Sequence, residues 1–186
     1  MNINQVLTAT KVACVNTVEN NPKKKWKIVW ENGLSDSLVE KMGRVYLIVS
    51  DGIIVKIGGS TDAGGIAGTL RWYEDSALSG KPSVRTYGIH ILIDEELRKG
   101  KKIEFYCIWA KKIITPVRGL FGEKEMETSA EFKTMENLCK SDYISVMGCL
   151  PVWNFQEGAK KWPIYITEGC ENLNRKSTSE RKKNKK

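Results

Sequence analysis

Tyr46 and Lys56 are the residues whose types and spacing point first to chemistry. They lie in RVYLIVSDGIIVKIG, residues 44–58, which reads as two short apolar strands, 45–49 and 53–57, joined at Asp51-Gly52. An Asp-Gly pair between β-branched runs signals a two-residue hairpin, because a type I′ turn needs φ > 0 at both central positions. In such a hairpin the start of one strand lies beside the end of the other, which makes the phenol of Tyr46 and the ammonium of Lys56 neighbours. A lysine facing the same way as a tyrosine favours its phenolate, and a phenolate is a proton acceptor. Each residue also has an ordinary explanation: a tyrosine packed at a sheet edge, a lysine facing solvent.

Other polar groups fall on predicted elements downstream. Residues 59–65, GSTDAGG, form a small glycine-rich loop. Its spacing matches neither G-x-G-x-x-G nor G-x-x-x-x-G-K-[ST], so nucleotide binding is weakly signalled. A helix over 66–77 has Ile66, Leu70 and Tyr73 on one face and Arg71 near its middle. Residues 127–143 predict a helix with a stripe of Phe132, Met135, Cys139 and Tyr143. Glu136 lies on the same stripe. A carboxylate there either reaches solvent from an edge position or faces a polar pocket, and Glu131 is a competing carboxylate near the same face. Gly148 breaks the helix, and an extended aromatic exit, residues 150–154, ends at Asn154.

The remaining elements must position these groups. Residues 2–18 carry a loosely helical apolar period, and 25–30, KWKIVW, read as a strand with Trp26, Ile28 and Trp30 on one face. Asn32-Gly33 turns the chain into a short helix ending near Met42. Residues 84–99 are ambiguous between strand and helix; a cap at Ser83 and Gly100 beyond the end favour helix. Residues 102–111 predict a strand with Ile103, Phe105, Cys107 and Trp109 alternating, and 116–126 read as loop. His90, the one histidine, is expected at the surface. The chain then divides into an accessory segment (1–42), a core (43–160) and an extension (161–186) with a basic, disordered tail. The fold class is α+β: a small, mostly antiparallel three-stranded sheet, the hairpin plus 102–111, flanked by helices.

Composition narrows the function classes. The 186 residues are 41% hydrophobic and 28% charged, ordinary for a globular protein. No apolar run approaches the roughly 18 residues of a membrane span. The N-terminus lacks the charged and apolar regions of a secretory signal. Five cysteines without a C-x-x-C pair argue for reduced thiols, hence a cytoplasmic setting, and with one histidine a structural zinc site is disfavoured. The net charge of +8 concentrates in residues 174–186, with seven Lys/Arg and one Glu, and around Lys23, Lys24 and Lys25. These patches, with Arg181, Lys182 and Lys183 in the tail, are the candidate electrostatic contacts to nucleic acid.

Tyr46, Lys56, Arg71, Glu136 and Asn154, in that order, resemble the GIY-YIG nuclease superfamily, in particular its small type II restriction-enzyme branch. The first signature tyrosine matches Tyr46 in Arg44-Val45-Tyr46. The second signature matches Lys56-Ile57-Gly58, with lysine in place of tyrosine, and the family arginine matches Arg71. The metal-binding glutamate matches Glu136, with Glu131 as the alternative, and Pro151-Val152-Trp153-Asn154 matches the Pro-x-x-Asn ending. The resemblance spans residues 43–155. It departs from the family at Arg44-Val45, which replace glycine and isoleucine. Glu74-Asp75 stand where many members carry histidine, leaving Tyr73 as the nearest substitute.

The resemblance implies a Mg²⁺-dependent DNA endonuclease, with Mn²⁺ able to substitute, acting on double-stranded DNA as a homodimer with restriction-type specificity. Tyr46 would be the general base tuned by Lys56. Arg71 and Tyr73 would contact the phosphate, Glu136 would hold one metal ion, and Asn154 would support the site. A homing or repair nuclease with the same core, and a non-catalytic nucleic-acid-binding protein, are the rival readings. Sequence specificity would come from residues 79–85 or 116–128.

Overall fold

The computed structural model describes all residues except 20, 22–24, 76, 156, 158, 159 and 184–186, and no side chain at 35 or 178–183. Lys23 and Lys24 therefore lie outside the described residues, as do the side chains of Arg181, Lys182 and Lys183. Five strands form one antiparallel sheet: β1 (Thr10–Thr17), β2 (Trp26–Trp30), β3 (Arg44–Ser50), β4 (Ile53–Ser60) and β5 (Ile103–Trp109), in the order β2-β1-β5-β3-β4. Helices α1 (Ser35–Val39), α2 (Gly65–Glu74), α3 (Val84–Arg98), α4 (Phe132–Met147) and α5 (Ile164–Lys183) accompany it.

The α+β class holds, but the sheet has five strands where three were expected. The two additions come from residues 1–42. Beyond a short 3-10 turn (Ile3–Gln5), the segment read as helical forms β1, between β2 and β5. A bulge between Lys11 and Ala13 shifts its register against β5 and scrambles the alternation that marks a strand. Pairing with strands far along the chain, not local pattern, selects its conformation.

Every residue of β3 is buried, because both faces of this strand are covered. Val45, Leu47 and Val49 pack with Ile3 and Tyr143 of α4. Tyr46 and Ile48 face the other layer, with Ile66, Leu70 and Tyr73 of α2, Ile89 and Ile93 of α3, and Ile166 of α5. A strand buried on both sides reads as the unbroken apolar run seen here. The hairpin turn forms as the Asp-Gly pair demands, with Asp51 at φ 45° and Gly52 at φ 77°.

Three further expectations change. Residues 116–126 belong to a second, two-stranded ribbon, β6 (Lys112–Gly119) and β7 (Gly122–Ser129), not to a loop. A ribbon of two strands leaves one edge of each strand unpaired, so Pro116 is tolerated within it. His90 is buried, not at the surface: it stacks near Trp26, with ring centroids 4.9 Å apart, and its Nδ1 lies 2.8 Å from the Tyr73 carbonyl. The basic tail is helical through Lys183; Ile166 and Cys170 bury one side of α5, and its Lys, Arg and Glu residues are good helix formers. Among the described residues no helix is long and apolar enough to cross a membrane.

Candidate active site

The pairing of β3 with β4 places Tyr46 opposite Gly58 and Ile48 opposite Lys56. Residues two apart on a strand share a face, so Tyr46 and Lys56 point to the same side as diagonal neighbours. Gly58 is what lets them meet at the edge. A Cβ built there would lie 2.4 Å from the Tyr46 ring and hydroxyl, so the tyrosine side chain lies across the bare glycine toward the open edge of β4. At Gly59 a Cβ would stand 3.0 Å from Glu136 Oε2 and 2.7 Å from the Phe132 ring. Two consecutive glycines thus bring a phenol from inside the sheet and a carboxylate from α4 to one stretch of edge strand.

Each of these groups is held from behind. The Tyr46 hydroxyl lies 2.6 Å from the Tyr73 hydroxyl. Tyr73 is anchored in turn by His90, whose Nδ1–H donates to its backbone carbonyl. Arg44, fully buried, donates to the carbonyls of Glu40 (2.9 Å) and Asp62 (3.1 Å), fastening the loop after β4 to the strand's start. Asp62 accepts from the Gly64 N–H at 2.7 Å and from the Trp72 indole at 3.4 Å, which fixes the entry into α2. Asn154, also fully buried, clasps the Ile57 backbone: its Oδ1 accepts from Ile57 N–H at 2.9 Å and its Nδ2 donates to the Ile57 carbonyl at 2.8 Å. One side chain therefore satisfies both backbone polar groups of Ile57 on the β4 edge.

The electrostatics differ from the sequence expectation. Lys56 does not hold Tyr46 as a phenolate: burial, reinforced by Tyr73, pushes the Tyr46 phenol well above its ordinary range. Tyr73 is also pushed up by burial. It is Lys56 that moves toward neutrality. Its side chain is 5% exposed and makes no hydrogen bond among the described residues, and burial, with Arg85 adding, pushes its ammonium down to about 8.

Glu136 is 8% exposed and sits between two lysines, with Lys140 Nζ 2.6 Å from Oε1 and Lys133 Nζ 2.9 Å from Oε2. Burial alone would raise its carboxyl; the two ammonium groups outweigh burial and hold it below the ordinary range. Lys140 is buried and also bridges to Glu157 at 2.7 Å, whereas Lys133 is largely exposed. Glu131, the competing carboxylate, is exposed at the start of α4 and bonds no backbone N–H there.

The expected residues are not all brought together. Tyr46, Lys56, Tyr73, Glu136 and Asn154 converge on the β4 edge. Arg71 does not. It is exposed on α2, and at two residues from Tyr73 it projects from the opposite side of that helix. A cleft of about 190 Å³ opens over Tyr46, Gly59, Thr69, Trp72 and Tyr73, and the cation on its wall is Arg85 of α3. Arg85 was not among the candidate catalytic residues; it ends the 79–85 segment that was expected to give sequence specificity. Its one signal in the sequence is a positive charge two residues after the helix cap at Ser83, where the helix dipole disfavours cations.

Among the described residues no group of three or more His, Cys, Asp or Glu is placed to hold a metal ion. A single carboxylate nonetheless fits Mg²⁺, which keeps several waters and binds through one or two carboxylates plus substrate phosphate. Glu136 offers Oε2 toward the space above Gly59, where among the described residues the exposed Lys133 is what competes for it.

No protein-family model matches the sequence, and no curated protein matches it. Solved structures similar to it include the following two. A variant of bacteriophage T4 EndoII shares 15% identity with a TM-score of 0.49, over 83% of this chain and 100% of that one. The restriction endonuclease HPY188I in complex with product DNA shares 19% identity with a TM-score of 0.42, over 84% of this chain and 87% of that one.

Proposed function

We propose that the chain is a divalent-metal-dependent endonuclease that hydrolyses phosphodiester bonds of double-stranded DNA. The observation that carries this reading is the convergence of Tyr46, Lys56 and Glu136 on the glycine edge of β4. Strand pairing, a bare Gly58-Gly59 step and a helix 80 residues downstream of Lys56 are all needed to bring the three together. The match to the GIY-YIG signatures orders the same residues independently.

Hydrolysis needs a water deprotonated next to phosphorus, charge relief on the non-bridging oxygens, and help for the departing oxygen. Lys56 is the group able to be neutral near pH 8, so we assign it proton acceptance from the attacking water. The Tyr46 hydroxyl, neutral and backed by Tyr73, orients that water. These roles reverse the sequence expectation of a tyrosine base. Glu136 would hold Mg²⁺ or Mn²⁺, which supplies Lewis-acid stabilisation of the leaving oxygen when bound. Asn154 positions Lys56 and Gly58 through the backbone of Ile57 between them.

A plasmid digest tests the reading. Wild-type protein with Mg²⁺ cuts supercoiled plasmid, and discrete bands mark restriction-type specificity, whereas a smear speaks against it. Tyr46→Phe and Glu136→Ala lower the rate by at least about 100-fold. Undiminished cleavage in both variants would falsify the site assignment, and no cleavage by the wild type with either metal would sink the activity itself.

A further inference from the structure

We propose that Arg85, from the first turn of α3, is the guanidinium that grips the scissile phosphate in this chain, in the place that resemblance gave to Arg71. The assignment deepens the phosphodiesterase reading and rests on it. Among the described residues lining the cleft over Tyr46 and Tyr73, Arg85 is the one cation. Its side chain is exposed, and among the described residues its guanidinium makes no hydrogen bond and no ion pair, so five donors remain for a ligand. A planar fork of this kind matches the non-bridging oxygens of a phosphate.

Its placement has no structural benefit. The first turn of α3 carries no acidic residue, and the positive end of the helix dipole repels a cation at that point. A phosphate anion at the guanidinium would offset that repulsion. Arg85 is also felt across the site, by the Tyr46 and Tyr73 phenols and by the Lys56 ammonium.

Arg71 has a sufficient explanation without chemistry. It occupies the last turn of α2, where a cation complements the dipole. The α2 residue one turn before Tyr73 that does reach the cleft is Thr69, whose hydroxyl is bonded to Ser60 (2.7 Å) and to the Gly65 carbonyl (3.2 Å). That position carries no charge, so α2 provides no guanidinium to the cleft, and the next helix does.

The test compares the full-length wild type with Arg85→Ala, Arg85→Lys and Arg71→Ala by two readouts, after circular dichroism shows each variant folded. One readout is cleavage of supercoiled plasmid with Mg²⁺. The other is metal-free binding of a short synthetic duplex, followed by fluorescence anisotropy over a salt series. Arg85→Ala is expected to cut at least about 100-fold more slowly, with Arg85→Lys recovering part of the loss. It also flattens the slope of log affinity against log salt by about 0.9, the value of one phosphate contact. Arg71→Ala matches the wild type in both.

A wild type that cuts, with Arg85→Ala cutting and binding equally well, overturns the Arg85 assignment and leaves the nuclease reading standing. An Arg71→Ala variant that reproduces the loss overturns the assignment in the same way. A wild type that binds with an Arg85-dependent slope but never cuts supports the phosphate contact and overturns hydrolysis. A wild type that neither binds nor cuts overturns both.

Discussion

At the scale of single residues, the site turns on which of two neighbours gives up its proton. Tyr46 is fully buried against a second phenol, and burial disfavours the phenolate. Lys56 is buried with no hydrogen bond among the described residues, and burial disfavours its ammonium in the same way. The outcome is a lysine that titrates near pH 8 beside a tyrosine that stays neutral. If neutral Lys56 accepts the proton, kcat/KM rises about tenfold per pH unit below that range and levels above it. A profile that falls above pH 8 would show instead that Lys56 works as a cation. Lys56→Met removes the titrating group, so any remaining activity loses that limb.

At the scale of elements, the edge of β4 is what brings these residues together. Gly58 leaves room for the Tyr46 ring, and Gly59 leaves room for Glu136. Gly58→Ala puts a methyl group where that ring lies, so cleavage is expected to fall at least as far as with Tyr46→Phe. Asn154→Ala removes both bonds to Ile57 and leaves its N–H without a partner, at a cost of about 2–4 kcal/mol. Urea denaturation measures it; a midpoint equal to wild type would show that the clasp contributes nothing. The hairpin itself was legible because its turn chemistry is local: Asp51 and Gly52 adopt the positive φ that their types favour. The ribbon of β6 and β7 was not, because it packs on nothing that imposes an apolar alternation, and nearly all its residues are exposed.

At the scale of the whole molecule, His90 couples stability to pH. It is buried among α2, α3 and β2 and bonded to the Tyr73 carbonyl, and burial pushes its imidazole below 6.5. Its contribution is fully present above pH 6.5, the unfolded value, and is lost as pH falls through the lower folded value. Thermal melts from pH 7 to pH 5 therefore show a declining midpoint, with a shallower decline in His90→Gln. An equal decline in both would place the acid sensitivity elsewhere. On the restriction-type reading, cutting both strands calls for two sites, and sedimentation velocity with duplex present is expected to give a complex of twice the 21.0 kDa chain mass plus the mass of the duplex. A monomer under those conditions would remove the homodimer from the proposal.

The sequence by itself determined the elements whose signals are local. These are the Asp-Gly hairpin, the alternating strand at β5, the capped helix α3, and the helix α4 that carries Glu136 on its apolar stripe. It also marked Tyr46, Lys56, Glu136 and Asn154 as residues in need of a reason. Only the tertiary structure decided what depends on distant partners. The pairing of β5 with a segment some 90 residues earlier turned an apparent helix into β1 and a three-stranded sheet into one of five. Burial, which no local pattern measures, reversed the expected protonation of Tyr46 and Lys56. Helical phase then turned Arg71 away from the cleft, and the packing of α3 beside α2 brought Arg85 to it, because a side chain's direction is set by the element it stands on and its neighbours by how the elements pack.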